Sequence, residues 1–189
     1  MGDVVLVRHG ETEWSRGGRH TGRTDVPLTD AGRDQAERLR PRLEGRSISR
    51  VLTSPLSRAA DTCRLAGLGD RAELTDDLLE WDYGEYEGLT TPQIREVRPG
   101  WSLWRDGCPG GEVASQVGAR ADRVIASLRE LEDDAVLFAH GHVLRVLTAR
   151  WIELAPENGA HFALSTASLS VLGWERETPA IRLWNRVAF

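Results

Sequence analysis

The sequence contains no lysine, so all 24 basic residues are arginines, and 29 acidic residues give a net charge of −5. The absence of lysine excludes Schiff-base chemistry, which needs a lysine amine. Two cysteines are too few for a disulfide framework and fit a reducing compartment. We therefore expect a cytoplasmic protein in which Cys63 packs in the core and Cys108 lies in a loop.

Long apolar runs and an excess of basic residues are also missing. No stretch approaches the roughly 20 apolar residues that a membrane span needs. The acidic net charge argues against a nucleic-acid surface. A chain of 189 residues with 40% apolar and 28% charged residues is typical of one globular domain. We expect a single domain over residues 1–189, monomeric or homodimeric, with no membrane and no nucleic-acid partner.

Three short apolar stretches lead directly into polar residues that are suited to catalysis. Residues 4–7 precede Arg8-His9-Gly10, residues 51–53 precede Ser54 and Arg58, and residues 135–139 precede His140-Gly141-His142. Such runs predict buried strands, and ligands of open α/β sheets bind at the carboxyl ends of strands. If the three strands are neighbours, two arginines and two or three histidines meet at one edge of the sheet.

Helical patterns separate the predicted strands. Ser54-Pro55 is a good cap followed by proline at the first helical position, so it predicts a helix over residues 55–66 with Arg58 in its first turn. Residues 112–131 predict an amphipathic helix whose apolar stripe begins at Val113. Residues 13–27 are polar and contain glycine, which predicts a loop over the site.

The last part of the chain predicts a β-hairpin, with strands over residues 169–175 and 181–187 on either side of Thr178-Pro179. Strands that alternate with helices indicate a mostly parallel sheet covered on both faces. The expected fold is therefore α/β: a three-layer α/β/α sandwich with an antiparallel edge strand.

Four motifs in order resemble those of the histidine phosphatase superfamily, also called the phosphoglycerate mutase-like family. They are Arg8-His9-Gly10, Ser54 to Arg58 as S-x-x-x-R, Leu78-Leu79-Glu80 as L-x-E, and His140-Gly141. Together they span nearly the whole chain. The resemblance implies the same three-layer fold. It also implies a phosphomonoester hydrolase that acts on small phosphorylated metabolites through a phosphohistidine intermediate.

By this resemblance, His9 would be the nucleophile and His140 a second histidine that donates to the phosphoryl oxygens. A neutral imidazole can attack with one nitrogen while the other nitrogen donates a hydrogen bond to a carbonyl, which fixes the tautomer. Arg8 and Arg58 would bind the phosphoryl group, since a guanidinium binds phosphate in a bidentate fork and keeps its charge.

Glu80 would protonate the leaving group and then activate water, because a sugar alkoxide is a poor leaving group without a proton. Its neighbours Trp81 and Tyr83 would shield it from water. Glu85 and Glu87 remain alternatives for this role.

Further substrate contacts are expected around these catalytic residues. Ser15 stands where many relatives have asparagine. By the same resemblance, Thr21-Gly22 would contact the transferred phosphoryl group through a hydroxyl and backbone N–H groups. Arg145 follows His142 by one helical turn, whereas the loop residues Arg16, Arg19 and Arg23 are expected to face solvent. The predicted substrate- and phosphate-binding set is Ser15, Thr21, Gly22, Tyr83, Gly141, His142 and Arg145.

A metal site at His140 and His142 is not expected, because no cysteine or acidic partner stands at ligand spacing. We therefore predict no metal and no cofactor, and a small-molecule phosphoester as the partner.

The middle of the chain narrows the activity. Residues 80–88 and 101–108 resemble two groups within the family, actinobacterial acid phosphatases and fungal sedoheptulose 1,7-bisphosphatases. Cofactor-dependent mutases carry a longer basic insertion after the Tyr83-Gly84 motif, and this chain is short there. We favour hydrolysis of a sugar phosphate or bisphosphate, with phosphoglycerate mutase activity as the alternative. A catalytically silent phosphate-binding module is a second alternative. The presence of all five expected catalytic residues makes it the less favoured one.

Overall fold

The computed structural model describes residues 1–187, which contain a six-stranded sheet. The strands are β1 (Val4–Arg8), β2 (Ile48–Thr53), β3 (Ala72–Leu74), β4 (Asp134–Ala139), β5 (Ser168–Glu175) and β6 (Thr178–Val187). Their order across the sheet is β3-β2-β4-β1-β5-β6. Strands β1 to β4 are parallel, and β5 is antiparallel to both of its neighbours. The prediction of a mostly parallel sheet with an antiparallel component is confirmed.

The antiparallel strand lies inside the sheet and not at its edge. Since β6 is antiparallel to β5, the edge strand β6 runs in the same direction as β1. The predicted hairpin is present, since β6 pairs antiparallel with β5 at the edge of the sheet, but its turn is shorter than predicted. The turn falls between β5 and β6, where Arg176 adopts a φ of 57°, and Thr178-Pro179 begins β6. Proline is tolerated at the beginning of an edge strand because few ladder bonds are lost there.

Eight α-helices connect these strands within residues 1–187. They are α1 (Glu13–Arg16), α2 (Asp30–Glu37), α3 (Arg40–Leu43), α4 (Ser57–Leu65), α5 (Thr91–Val97), α6 (Leu103–Asp106), α7 (Ala114–Leu128) and α8 (Gly141–Trp151). Short 3₁₀ turns lie at Gly69–Arg71, Asp76–Leu78, Gly84–Tyr86 and Pro156–His161. Over the described range, the helices are too short or too polar to cross a lipid bilayer.

Two helix predictions need correction. Helix α4 begins at Ser57 and not at Pro55, because Leu56 has extended backbone, with φ −67° and ψ 134°, and is the N-cap. The predicted loop over residues 13–27 contains the one-turn helix α1, because Thr12 and Ser15 form a reciprocal capping box at its start.

Both faces of the sheet are buried, as the strand sequences predict. Val4 and Leu6 belong to a core cluster that includes residues of α7 and α8, whereas Val5 and Val7 belong to a second cluster with residues of α3 and α4. Successive strand residues point to opposite faces, so this division produces the three layers. Val113, expected on the apolar stripe of α7, is exposed because it lies at the N-cap position before that helix.

Candidate active site

The carboxyl ends of β2, β4 and β1 lie side by side. In the register, Arg8 pairs with Ala139, and the next backbone N–H, that of His9, donates to the Ala139 carbonyl at 3.0 Å. Ser54 N donates to the Phe138 carbonyl at 3.0 Å. The pairing brings the three predicted motifs to one edge of the sheet, with the ring centroids of His9 and His140 5.2 Å apart.

His9 is buried, and its ring is held in one tautomer. Nδ1 lies 2.7 Å from the Gly10 carbonyl oxygen, and since a carbonyl only accepts, Nδ1 carries the proton. Nε2 is therefore the nitrogen with a free lone pair. Burial and the positive charges of Arg8 and Arg58 lower the pKa of His9 well below its usual value. The ring stays neutral and nucleophilic near pH 7.

Gly10 is required by close backbone packing behind the site. A Cβ at this position would lie 2.2 Å from the carbonyl oxygen of Gly32 in α2. Any side chain would therefore separate α2 from the end of β1 and move His9, which explains the glycine of the Arg8-His9-Gly10 motif.

The Arg8 guanidinium is anchored through Nη1, which donates to the Leu164 carbonyl. Its Nε is buried and has no hydrogen-bond partner among residues 1–187. A buried charged donor without an acceptor is costly, so an anion that accepts from this nitrogen would stabilise it. Gly141 packs against the guanidinium, and a Cβ there would lie 3.4 Å from Cζ.

Arg58 is fully buried and much more completely bonded than Arg8. Nε donates to His140 Nδ1 at 3.1 Å, and Nη1 donates to the Thr24 carbonyl at 2.9 Å. Nη2 donates to the carbonyls of Thr21 and Gly22 at 3.1 and 2.9 Å. Arg58 therefore fixes the loop over residues 21–24 against the strand ends.

His140 accepts from Arg58 through Nδ1, so its proton is on Nε2, which donates to Ser54 Oγ at 2.8 Å. Burial and the charge of Arg58 lower the pKa of His140 well below its usual value. Ser54 is thus a direct partner of the second histidine, a role that its position before a helix did not indicate.

Glu80 is buried at the start of α8, and backbone donors surround its carboxylate. Oε1 accepts from the N–H groups of Trp81 and Val143, and Oε2 accepts from that of His142, each at 2.9 Å. These three bonds fix the orientation of the carboxyl group at the positive end of the α8 dipole. Oε2 accepts one N–H bond and retains a lone pair for a proton.

The two alternative carboxylates lie elsewhere. Glu85 is exposed in the 3₁₀ turn Gly84–Tyr86. Glu87 accepts from Gly22 N at 2.9 and 3.0 Å and from Thr24 N at 3.1 Å, so it supports the loop that Arg58 also holds. Gly22 gives its N–H to Glu87 and does not line the cavity.

The strand ends form the inner wall of a cavity of about 260 Å³. The predicted residues that line it are Arg8, His9, Ser15, Thr21, Glu80, Tyr83, Gly141, His142 and Arg145. Arg58 and His140 are buried directly behind this lining. Ser15 Oγ donates to the Thr12 carbonyl, and Thr21 Oγ1 donates to the Arg19 carbonyl, so both hydroxyl protons already have acceptors.

Sequence reasoning missed His20, Thr91, Gly18 and Leu164, and it placed Arg19 in solvent, although all five line the cavity. His20 and Thr91 are brought together by an isolated bridge between Arg19 and Thr90. That bridge joins two irregular segments, so no periodic pattern in the sequence reveals it.

The outer wall of the cavity is aromatic and mostly neutral. Tyr83 Oη lies 2.6 Å from His142 Nδ1, and the His20 ring lies 4.7 Å from that of Tyr83. Burial lowers the pKa of His20 to about 4, and it also lowers that of His142. Two neutral imidazoles and a phenol therefore offer hydrogen bonds without fixed charge.

Arg145 supplies a positive charge to this outer wall. Its guanidinium lies 4.5 Å from the centroid of the Trp104 ring. Nε and Nη2 donate to the carbonyls of Gly159 and Ala160 at 3.0 and 3.2 Å. Arg145 is thus held in place at the position where the sequence predicted a substrate contact. Within residues 1–187 no group of three or more histidine, cysteine or acidic side chains is arranged to bind a metal.

Comparison with known proteins agrees with this geometry. The sequence model described as "Histidine phosphatase superfamily (branch 1)" matches residues 4–187. An acid phosphatase of Mycobacterium tuberculosis is 49% identical over 91% of this chain and 86% of its own. A sedoheptulose 1,7-bisphosphatase of Saccharomyces cerevisiae is 39% identical over 79% of this chain and 67% of its own. A solved M. tuberculosis structure superposes with a TM-score of 0.94 at 44% identity, covering 100% of this chain and 99% of the other.

Proposed function

Because the chain belongs to the histidine phosphatase superfamily (branch 1), we propose that it hydrolyses phosphomonoesters of sugars, with His9 as the nucleophile. The chain is a phosphatase that acts through a phosphohistidine intermediate. The observation that carries the assignment of His9 is its fixed tautomer: Nδ1 donates to Gly10, and Nε2 keeps a lone pair beside Arg8.

In the first step, His9 Nε2 attacks phosphorus, the N–P bond forms, and the bond from phosphorus to the leaving oxygen breaks. The transition state carries its charge on the equatorial phosphoryl oxygens. Arg8, whose guanidinium lines the cavity, donates to one of them. His140 lies beside His9, with the ring centroids 5.2 Å apart, and both of its nitrogens are bonded, Nδ1 to Arg58 Nε and Nε2 to Ser54 Oγ, so it contributes by holding the buried Arg58 guanidinium in place. Ser54 keeps the His140 ring oriented through Nε2.

Glu80 supplies the proton that the leaving oxygen needs. The free lone pair on Oε2 is the proton site, because Oε1 already accepts two N–H bonds. A phosphomonoester monoanion can bring this proton into the cavity, since the second ionisation of a phosphate ester has a pKa of about 6. Glu80 then leaves the first step as a carboxylate.

In the second step, that carboxylate removes a proton from water. The water oxygen bonds to phosphorus, the N–P bond breaks, and inorganic phosphate leaves with His9 regenerated. Glu80 is therefore acid in one half-reaction and base in the other, as microscopic reversibility requires.

The outer wall supports a polyhydroxylated leaving group. Neutral rings of His20, His142 and Tyr83 suit sugar hydroxyls, and Arg145 suits a second phosphate. The names of two relatives, an acid phosphatase and a sedoheptulose 1,7-bisphosphatase, are consistent with a sugar phosphate or bisphosphate as the substrate of this chain.

Rapid quenching of the enzyme with a ³²P-labelled sugar phosphate tests the proposal. We expect label on one histidine, in a bond that is stable to base and labile to acid, and we expect peptide mapping to locate it at His9. The His9→Ala variant should keep its circular dichroism spectrum and lose both label and turnover. Label on serine or aspartate, or full turnover by His9→Ala, would contradict the assignment.

A panel of sugar phosphates, sugar bisphosphates and phosphoglycerates then addresses the substrate. We expect release of inorganic phosphate from the sugar esters at higher kcat/KM than from phosphoglycerates. Isomerised phosphoglycerate as the main product would instead favour the mutase alternative.

A further inference from the structure

Arg120 and Glu112 form a buried ion pair behind the segment that carries Glu80. Arg120 lies on α7 and is only 6% exposed. Its Nε donates to Glu112 Oε1 at 2.9 Å, and its Nη2 donates to Glu112 Oε2 at 3.0 Å. A paired fork of this kind has a defined geometry as well as strong hydrogen bonds.

The remaining donors of Arg120 bind the backbone that leads to Glu80. Nη1 donates to the carbonyls of Asp77 and Leu79 at 3.0 and 2.6 Å, and Nη2 donates to the carbonyl of Glu80 itself at 3.2 Å. Only a short 3₁₀ turn, Asp76–Leu78, gives this segment regular structure. No strand ladder or α-helix therefore fixes the backbone of residues 79–83 in the structure as described.

Glu112 binds the other side of the same segment. Its Oε2 accepts from Asp82 N at 2.8 Å, and its own N–H donates to the Asp82 carbonyl at 2.9 Å. The Glu112 carbonyl accepts from Trp81 Nε1 at 2.9 Å. The ion pair thus holds the backbone before and after Glu80, while the Glu80 carboxylate is held by the start of α8.

We propose that Arg120 and Glu112 are positioning residues for the acid and base steps of Glu80, an inference that rests on the proposed function. A buried ion pair is a poor source of net stability, because desolvation of both charges offsets their attraction. Its effect here is geometric. Five bonds from the pair to the backbone of residues 77–82, together with the ring of Trp81, keep Glu80 at the boundary between the phosphoryl group and the leaving oxygen.

The test uses Arg120→Lys, which keeps the charge and loses the fork. Single-turnover release of the leaving group, before the phosphohistidine is hydrolysed, is measured on a sugar phosphate and on p-nitrophenyl phosphate, whose leaving group needs little protonation. We expect the sugar phosphate rate to fall about 10- to 100-fold, the scale of a small misplacement of a catalytic group, and the aryl ester rate to fall less than about threefold. Equal losses on the two substrates would overturn the proposal.

A double-mutant comparison distinguishes positioning from a general structural defect. In a Glu80→Gln background, Arg120→Lys should cause little further loss on the sugar phosphate, because residues that act as one unit are not additive. A full additional loss would show that Arg120 acts independently of Glu80. The neutral pair Arg120→Met with Glu112→Gln provides a second variant without an isolated buried charge, and we expect from it the same substrate-dependent loss.

Arg123→Lys is the matched control. Arg123 lies on the same helix and pairs with the side chain of Asp77, but it is 63% exposed, so we expect unchanged rates.

Amide hydrogen exchange separates this proposal from the assignment of Glu80. Exchange at Trp81 and Asp82 should accelerate in Arg120→Lys and not in Arg123→Lys, whatever the role of Glu80. Unchanged exchange would refute positioning. Accelerated exchange, with no leaving-group dependence in the single Glu80→Gln variant, would instead refute the acid role of Glu80.

Discussion

The inner and outer walls of the cavity are built in different ways. The inner wall is formed by Arg8 and His9 at the end of β1, both fixed by backbone pairing with Ala139, and Arg58 and His140 are buried directly behind it. The outer wall comes from irregular segments and the first turns of α8, with side chains such as His20 and Arg145. The inner wall can recognise the phosphoryl group that every substrate shares, and the outer wall can recognise the leaving group that differs.

The inner and outer walls also differ in charge. Arg8 in the inner wall and Arg58 behind it lie close to His9 and His140, and burial together with the charge of these arginines lowers the pKa of both histidines. On the outer wall, neutrality of His20 comes from burial alone. The comparison indicates that the inner wall is organised for transition-state charge and the outer wall for hydrogen bonding. Variants that change phosphoryl transfer without changing recognition of the leaving group, or the reverse, test this comparison.

The largest effect is expected for Glu80→Gln, at the boundary between the two walls. The amide cannot donate an acidic proton to the leaving oxygen, so single-turnover release from a sugar phosphate should slow by about 10²- to 10⁴-fold. Release of p-nitrophenolate, a good leaving group, should slow much less. Measurement by quenched flow on both esters checks this, and equal losses would move the acid role to another carboxylate.

A smaller effect is expected for Arg145→Ala, which changes only the outer wall. One charge-assisted contact contributes about 1.5–3 kcal/mol, so kcat/KM on a sugar bisphosphate should fall about 10- to 150-fold. The value on p-nitrophenyl phosphate should change little, because that substrate has no second phosphate. If both substrates lose equally, Arg145 serves the fold or the inner wall.

The smallest effect is expected when the pH is lowered and the protonation of His9 is followed. Since burial and two arginines lower the pKa of His9, the nucleophile stays unprotonated as pH falls through 6.5 and is lost only below its lowered pKa. Between pH 7 and 5 the ring signals of His9 in ¹³C NMR should shift little. A histidine with a pKa of 6.5 would become about 97% protonated at pH 5. The urea-unfolded protein gives the reference titration curve. If the titration curve of His9 in the native protein coincides with it, the inner wall does not lower the pKa of His9.

Residues in regular elements were predicted well. The apolar runs before Arg8, Ser54 and His140 predicted three buried strands, and the sheet order makes them neighbours. The short strand β3 and the helix α1 were missed, since three or four residues carry too little periodicity to detect. Ser54 was assigned to a helix cap because a serine before proline has the same local pattern, whether its hydroxyl caps a helix or binds a histidine across the sheet.

The sequence by itself indicated which residues are suited to catalysis and that Arg8, His9 and His140 directly follow or end apolar strands, because strand periodicity and motif order are local properties of the chain. Only the tertiary structure decided which partners those residues have. The free lone pair of His9 depends on the Gly10 carbonyl, and the unpartnered Nε of Arg8 depends on the packing around it. The Glu80 carbonyl accepts from Arg120, forty residues away. Hydrogen-bond partners and burial arise when distant segments pack together, and no local pattern contains them.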